Sequence, residues 1–195
     1  MKNLSMFLSL FVLLTAFTPT HIDHYKVNPT KSKLVWKAEK VTGGHYGHVS
    51  LKSGKVMMDH GKIAGANFVV DMTTISNEDI ESEKYRDKLV EHLKNEDFFN
   101  VEKHPEVSFN MMNSTPMGNG KFNVFGELTI KGNKNVISFP LELTESKSDL
   151  VVKGSFSFDR TKYDIIYGSG TFFDDLGDRA IDNTVSLDFE IHLSK

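Results

Sequence analysis

The chain has 195 residues and no cysteine. Disulfides, thiolate nucleophiles, thiolate zinc sites and lipid attachment through an N-terminal cysteine are therefore excluded. It also lacks an excess of one charge: 23 Lys and Arg stand against 26 Asp and Glu, with no block of like sign. Nucleic-acid binding needs a clustered basic face that displaces counterions from phosphates, so that class is not expected. No Gly-x-Ser-x-Gly elbow and no phosphate-cradling glycine loop occurs. Gly168-Ser169-Gly170 lacks the strand–turn–helix setting such motifs need. Nor does an apolar run reach the roughly 20 residues of a bilayer-spanning helix. Leu4–Phe17 comes nearest, and with Lys2 ahead of it resembles a secretory h-region. Residues 1–20 are expected to be a signal peptide and 21–195 a single mature domain, periplasmic or secreted, with no membrane anchor left after cleavage.

What the mature region does have is alternation. Phe122, Val124, Leu128 and Ile130 share one parity, with Lys121, Asn123, Glu127 and Lys131 on the other. Val185, Leu187, Phe189, Ile191 and Leu193 repeat the pattern, as do Ile137, Phe139, Leu141 and Leu143, and Val152, Gly154, Phe156 and Phe158. Leu34, Trp36 and Ala38, Phe68 and Val70, and Val107, Phe109 and Met111 mark further strands. Period-two patterns of this kind belong to half-buried antiparallel strands. Turn residues punctuate them at Gly43-Gly44, Asp59-His60-Gly61, Gly118-Asn119-Gly120, Lys131-Gly132-Asn133 and Ser146–Asp149. Glu83–Asn95 departs from the pattern, with Tyr85, Leu89, Val90 and Leu93 on one face of a helix. The fold class is mainly β: an antiparallel β-barrel of about eight strands with one amphipathic α-helix. Closure buries the apolar faces and removes the sheet edges.

The functional lead is aromatic. Trp36, Phe68, Phe109, Phe122, Phe139, Phe156, Phe158 and Phe189 lie on the apolar parity, with Val70 and Leu128 beside them. Such rings either line a tunnel or fill a core, and parity does not separate the two. Of the eight His, His45 and His48 come nearest to a ligand pair, but an i,i+3 pair on a strand points to opposite faces. No metal site is expected. Asp174, Asp175, Asp178 and Asp182 lack the spacing of a calcium loop and read as a solvated loop. Arg160, ahead of Tyr163 and Tyr167, either meets a ligand head group at the barrel mouth or pins a strand end by pairing with Asp159.

Three segments resemble the YceI family: His92–Phe109, Phe125–Gly132 and Phe156–Tyr163. The opening Tyr25-Lys26-Val27 followed by Ser32–Lys37 fits the same order, and the resemblance runs from about Tyr25 to Leu193. It implies a lipocalin-like barrel that is exported and holds a long amphiphile, such as a polyisoprenoid or isoprenoid quinone, in an elongated apolar cavity. In that reading the ten apolar residues above line the cavity, and Arg160, Tyr163 and Tyr167 contact the head group. The family carries no shared catalytic residue, so neither an enzyme nor a cofactor other than bound lipid is expected. Thr171–Ala180 departs from the commoner family ending, and a loop there is expected to reshape the mouth, so the ligand's identity transfers poorly. Two other classes stay open. One is a stress-response interaction module with a packed barrel. The other is an enzyme on a lipid or cell-wall substrate using His104, Asp159 and Arg160. An exported barrel of this kind can also form a homodimer.

Overall fold

The computed structural model describes residues 21–195; the expected signal peptide lies outside the described residues. Nine strands run in order: β1 (Ile22–Val27), β2 (Lys33–Lys40), β3 (Gly43–Asp59), β4 (Lys62–Asp71), β5 (Glu106–Gly118), β6 (Lys121–Ile130), β7 (Asn133–Glu145), β8 (Asp149–Asp159) and β9 (Ile181–Ser194). Among the described residues a single α-helix, α1 (Glu83–Lys94), interrupts them between β4 and β5. All pairings are antiparallel, and β3–β4 contact closes the sheet into a barrel.

Nine strands fill eight positions. β1 and β2 share one of them, because both pair with β3 on one side and β9 on the other. The break between them, Asn28–Ser32, is held by the Asn28 amide donating to His192 O at 2.7 Å. The alternating residues point inward as expected: Phe122, Val124, Leu128 and Ile130 are all buried. Four of the tight turns follow the predicted residues, but the β2–β3 turn falls at Val41-Thr42, and Gly43 and Gly44 open β3 instead. His60-Gly61 and Lys131-Gly132 both take positive φ, the geometry that matches strand twist in a two-residue hairpin.

The barrel has two unlike ends. At one, hairpin turns cluster over Tyr25, Met58, Leu150 and Leu193, each at most 2% exposed. At the other, the β4–β5 connection carries α1 across the opening, and the β8–β9 connection lies beside it. Here one expectation is corrected. Leu93 is buried and Leu89 and Val90 are half-buried, but Tyr85 is 64% exposed, so the first turn of α1 stands clear of the barrel. The helix also stops at Lys94, with Asn95 as its C-cap.

Candidate functional site: an apolar interior

The interior holds two cavities, of about 100 and 80 Å³. The larger lies at the helix end, between Trp36, Val49 and Leu128 of the wall and Met72, Ile75, Leu93, Phe98 and Phe99 of the cover. The smaller lies toward the hairpin end, among Phe68, Phe109, Met111, Phe139, Phe156 and Phe189. Leu34, Val70 and Leu187 line both, so the cavities meet at mid-barrel. Arg160 is the one charged residue on either wall.

A column of rings connects them. Phe139 stacks on Phe156 with centroids 4.9 Å apart and meets Phe109 at 5.4 Å and Phe189 at 5.8 Å. Phe156 then meets Phe158 at 6.3 Å, and Phe158 meets Tyr163 edge-on at 5.6 Å. Gly126 makes room for this column: a Cβ there would strike the Phe109 ring. Nine of the ten apolar residues named from the sequence border one of the two cavities. Trp36, Leu128 and Phe158 are at the helix end, Phe68, Phe109, Phe139, Phe156 and Phe189 at the hairpin end, and Val70 in both. Phe122 does not: it is buried in the core, paired with Pro116 and Leu141.

The three predicted head-group residues separate. Arg160 is 2% exposed, yet its guanidinium is taken up by backbone carbonyls: Nη1 donates to Ile165 O at 2.7 Å, Nε to Asp182 O at 2.9 Å and Nη2 to Ile181 O at 3.0 Å. The alternative role, an ion pair with Asp159, does not form. The Asp159 carboxylate instead accepts from the Thr161 amide and hydroxyl, capping the 3-10 turn Arg160–Tyr163. Burial lowers the Arg160 pKa, and the charges of Asp159 and Asp182 work against that shift. Tyr167 is 44% exposed and packs outside the cavities, against His92 at 4.8 Å and Phe98 at 5.4 Å.

Tyr163 differs from both. It is 1% exposed, and its hydroxyl has no hydrogen-bond partner. Burial pushes its pKa up to about 12, so the group stays a neutral donor. An unpaired buried hydroxyl costs more than the hydrogen bond it fails to make. Tyr163→Phe is therefore expected to stabilise the empty protein by about 1 kcal/mol, raising Tm by about 2–4 °C in thermal unfolding. A lower Tm would show that the hydroxyl has a partner.

The histidines do not converge. His45 faces Asp79 at 2.7 Å, while His48 contacts Leu34 O at 3.3 Å. Burial pushes the Asp79 carboxyl up, but hydrogen bonds from His45, the Tyr46 amide and Asn77 outweigh it and hold the group below the usual carboxylate range. These bonds tie the segment Ile75–Ile80 to β3 at the helix end. Of the rival trio His104, Asp159 and Arg160, Asp159 caps Thr161 and Arg160 is bonded to three backbone carbonyls. The cover residues Met72, Ile75, Phe98 and Phe99 escaped the sequence reading because they lie outside strands. The Phe98-Phe99 pair just past the helix end was their one visible signal.

A closed antiparallel barrel with an enclosed apolar interior and a helix across one end is a lipocalin-like architecture. The chain belongs to the family described as YceI-like domain, which matches residues 25–193. A UPF0312 protein of Vibrio campbellii is 30% identical over 105 residues, 53% of this chain and 52% of that protein, so the chain spans about half the length of the curated relatives it matches. Among solved structures, BcnA of Burkholderia cenocepacia superposes with a TM-score of 0.67 at 22% identity, covering 85% of this chain and 98% of the other. A polyisoprenoid-binding domain from Saccharophagus degradans, implicated in plant cell wall breakdown, gives 0.64 at 15% identity, covering 87% and 97%. The YCEI protein of Campylobacter jejuni gives 0.55 at 14%, covering 100% and 99%. At these identities the structures establish the shared fold.

Proposed function

We propose that this protein is an exported, non-enzymatic carrier that holds one long amphiphile, a polyisoprenoid, isoprenoid quinone or similar lipid, inside its barrel. The carrying observation is the column of rings joining two apolar cavities along the axis. A polyisoprenoid-binding relative of the same fold supports the ligand class, and the apolar run Leu4–Phe17 behind Lys2 supports export. Burial of the lipid chain supplies the driving force, at roughly 25 cal/mol per Å² of apolar surface. Ordering the chain's rotatable bonds offsets part of that gain.

In this reading the ten residues named from sequence form the ligand contact, less Phe122. Of the three head-group candidates, Arg160 alone lines a cavity, and its guanidinium has two N–H groups beyond the three bonded to carbonyls. One observation favours a second reading. Each cavity is well below the ~300–1,000 Å³ of an ordinary ligand pocket. A barrel that stays this full would act through its surface on a protein partner, with no ligand.

Native mass spectrometry of the mature protein from its own cell envelope, followed by organic extraction, tests the two readings. One long-chain species per chain is expected. A clean apo mass that also resists loading with quinones and polyprenyl lipids overturns the carrier reading. Phe156→Ala in the same assay is expected to weaken retention about 10-fold or more, because the ring touches both halves of the column. Unchanged retention in a folded variant removes Phe156 from the contact.

A further inference from the structure

We propose that ligand passes into the barrel sideways, through the seam between β7 and β8, and not through either end. The inference rests on the carrier reading above. The β7–β8 ladder runs only from Glu145↔Leu150 to Leu141↔Gly154. Beyond that point Asn133–Pro140 stay paired with β6 and Ser155–Asp159 with β9, but not with each other.

The cause is local. Pro140 has no N–H to donate, and its carbonyl faces Gly154 of β8, so the missing donor falls on the seam side. Toward the helix end the gap is bridged by Asn135 Nδ2 donating to Lys162 O at 3.0 Å. Between these limits the strands are held by side chains. Phe139 and Phe156, opposite each other if the register continued, stack at 27° across the gap. Parting the strands there breaks no backbone ladder.

The seam also opens in the right place. Phe139 and Phe156 line the hairpin-end cavity and Phe158 the helix-end cavity, so one displacement reaches both. The hairpin end is covered by side chains that are nearly or fully buried, and the helix end by Ile75–Ile80 and α1. A second unpaired stretch lies between β4 and β5, where the ladder covers Asn67–Asp71 only. That gap is bridged by Ser114 Oγ donating to Ile63 O at 3.1 Å, and its residues border the hairpin-end cavity alone. Tyr163, one residue from the Lys162 bridge, buries an unpaired hydroxyl while the seam is closed, which lowers the cost of opening to water. Cavities this small also require some wall to move before a long chain can enter.

The cysteine-free background makes the test direct. Ser138→Cys with Ser157→Cys places two exposed thiols opposite each other at the continued register, with no other partner in the chain. Uptake of a fluorescent undecanoic acid is followed by stopped flow in the oxidised and reduced forms of this one variant. Oxidation is expected to slow uptake and release together by about 10-fold or more, with Kd held within about threefold and the rates restored by reductant. Pro140→Thr, which supplies the missing donor, is expected to slow uptake about threefold without any cross-link. The same lock between β4 and β5, Ala64→Cys with Asn113→Cys, is expected to leave uptake unchanged. Equal rates in the locked and unlocked seam, with Pro140→Thr also at the native rate, overturn the route. Slowing by the β4–β5 lock instead assigns entry to that gap and overturns it too. No uptake by the reduced or native protein at equilibrium overturns the carrier reading itself, and the route with it.

Discussion

Arg160→Met is expected to destabilise the fold by about 3–5 kcal/mol, moving the urea midpoint by roughly 1.5–2.5 M. The side chain is a buried cation whose bonds all run to backbone: one carbonyl, Ile165, just past its own turn, and two, Ile181 and Asp182, at the start of β9. It ties the exit of β8 to the entry of β9 across the twenty-one residues that separate those strands. Methionine fills the space of the aliphatic stem but leaves three backbone acceptors without their donor, one of them buried, and each unpaired buried group costs about 1–3 kcal/mol. Arg160→Lys is expected to recover little, because an ammonium cannot reach three diverging carbonyls from one point. Asp159→Ala provides the contrast. It removes a cap on Thr161 and not a partner of the guanidinium, so a loss of only about 1 kcal/mol is expected. Equal losses in the two variants would restore the Arg160–Asp159 pair that the sequence brought to mind.

That pair shows where reading the chain alone runs out. Adjacent opposite charges at the end of an alternating strand invite an ion pair, yet a strand end leaves backbone groups unsatisfied, and each side chain turns to those first. The barrel itself was legible because inward parity survives any detail of register: Phe122 through Ile130 and Val185 through Leu193 had to bury one face. Turn positions were legible for the same reason, since His60-Gly61 and Lys131-Gly132 adopt the backbone that hairpins demand. The first strand was not, because β1 borrows its place from β2 and carries only Tyr25 fully inside. Tyr85 was misplaced by periodicity, which assigns a face to a helix without knowing how much of its length meets the barrel. The seam was invisible beyond one clue, Pro140 on the outward parity of β7. Whether a proline ends a ladder depends on which neighbour its nitrogen faces, and only the fold decides that.

Gly47→Ala is expected to cost about 3 kcal/mol or more, an effect out of proportion to one methyl group. A Cβ at this position would collide with the carbonyl of Ser76 and approach the Cα of Asn77 at 2.9 Å. Both obstacles are backbone, so no rotamer change relieves them. The segment they belong to is also unable to retreat. Its Ser76 amide donates to His48 O and its Glu78 amide to Tyr46 O, each at 2.9 Å. Trp36 Nε1 donates to the same Ser76 carbonyl at 3.0 Å, and Asp79 accepts from the Tyr46 amide at 2.9 Å. A methyl group must therefore either distort β3 or lift Ser76–Asp79 away, breaking several bonds together. Trp36 and Ile75 line the helix-end cavity, so lifting the segment uncovers that cavity as well. Gly170→Ala is the matched control: its Cβ would meet nothing within 4 Å, and no measurable loss is expected. Urea denaturation gives the stability of each variant, and amide exchange at Ser76 and Glu78 tells which way the strain is relieved. Fast exchange there with a native-like β3 means the cover has lifted. Gly47→Ala then separates the two openings, because a barrel open at the helix end should load ligand even when the β7–β8 seam is locked.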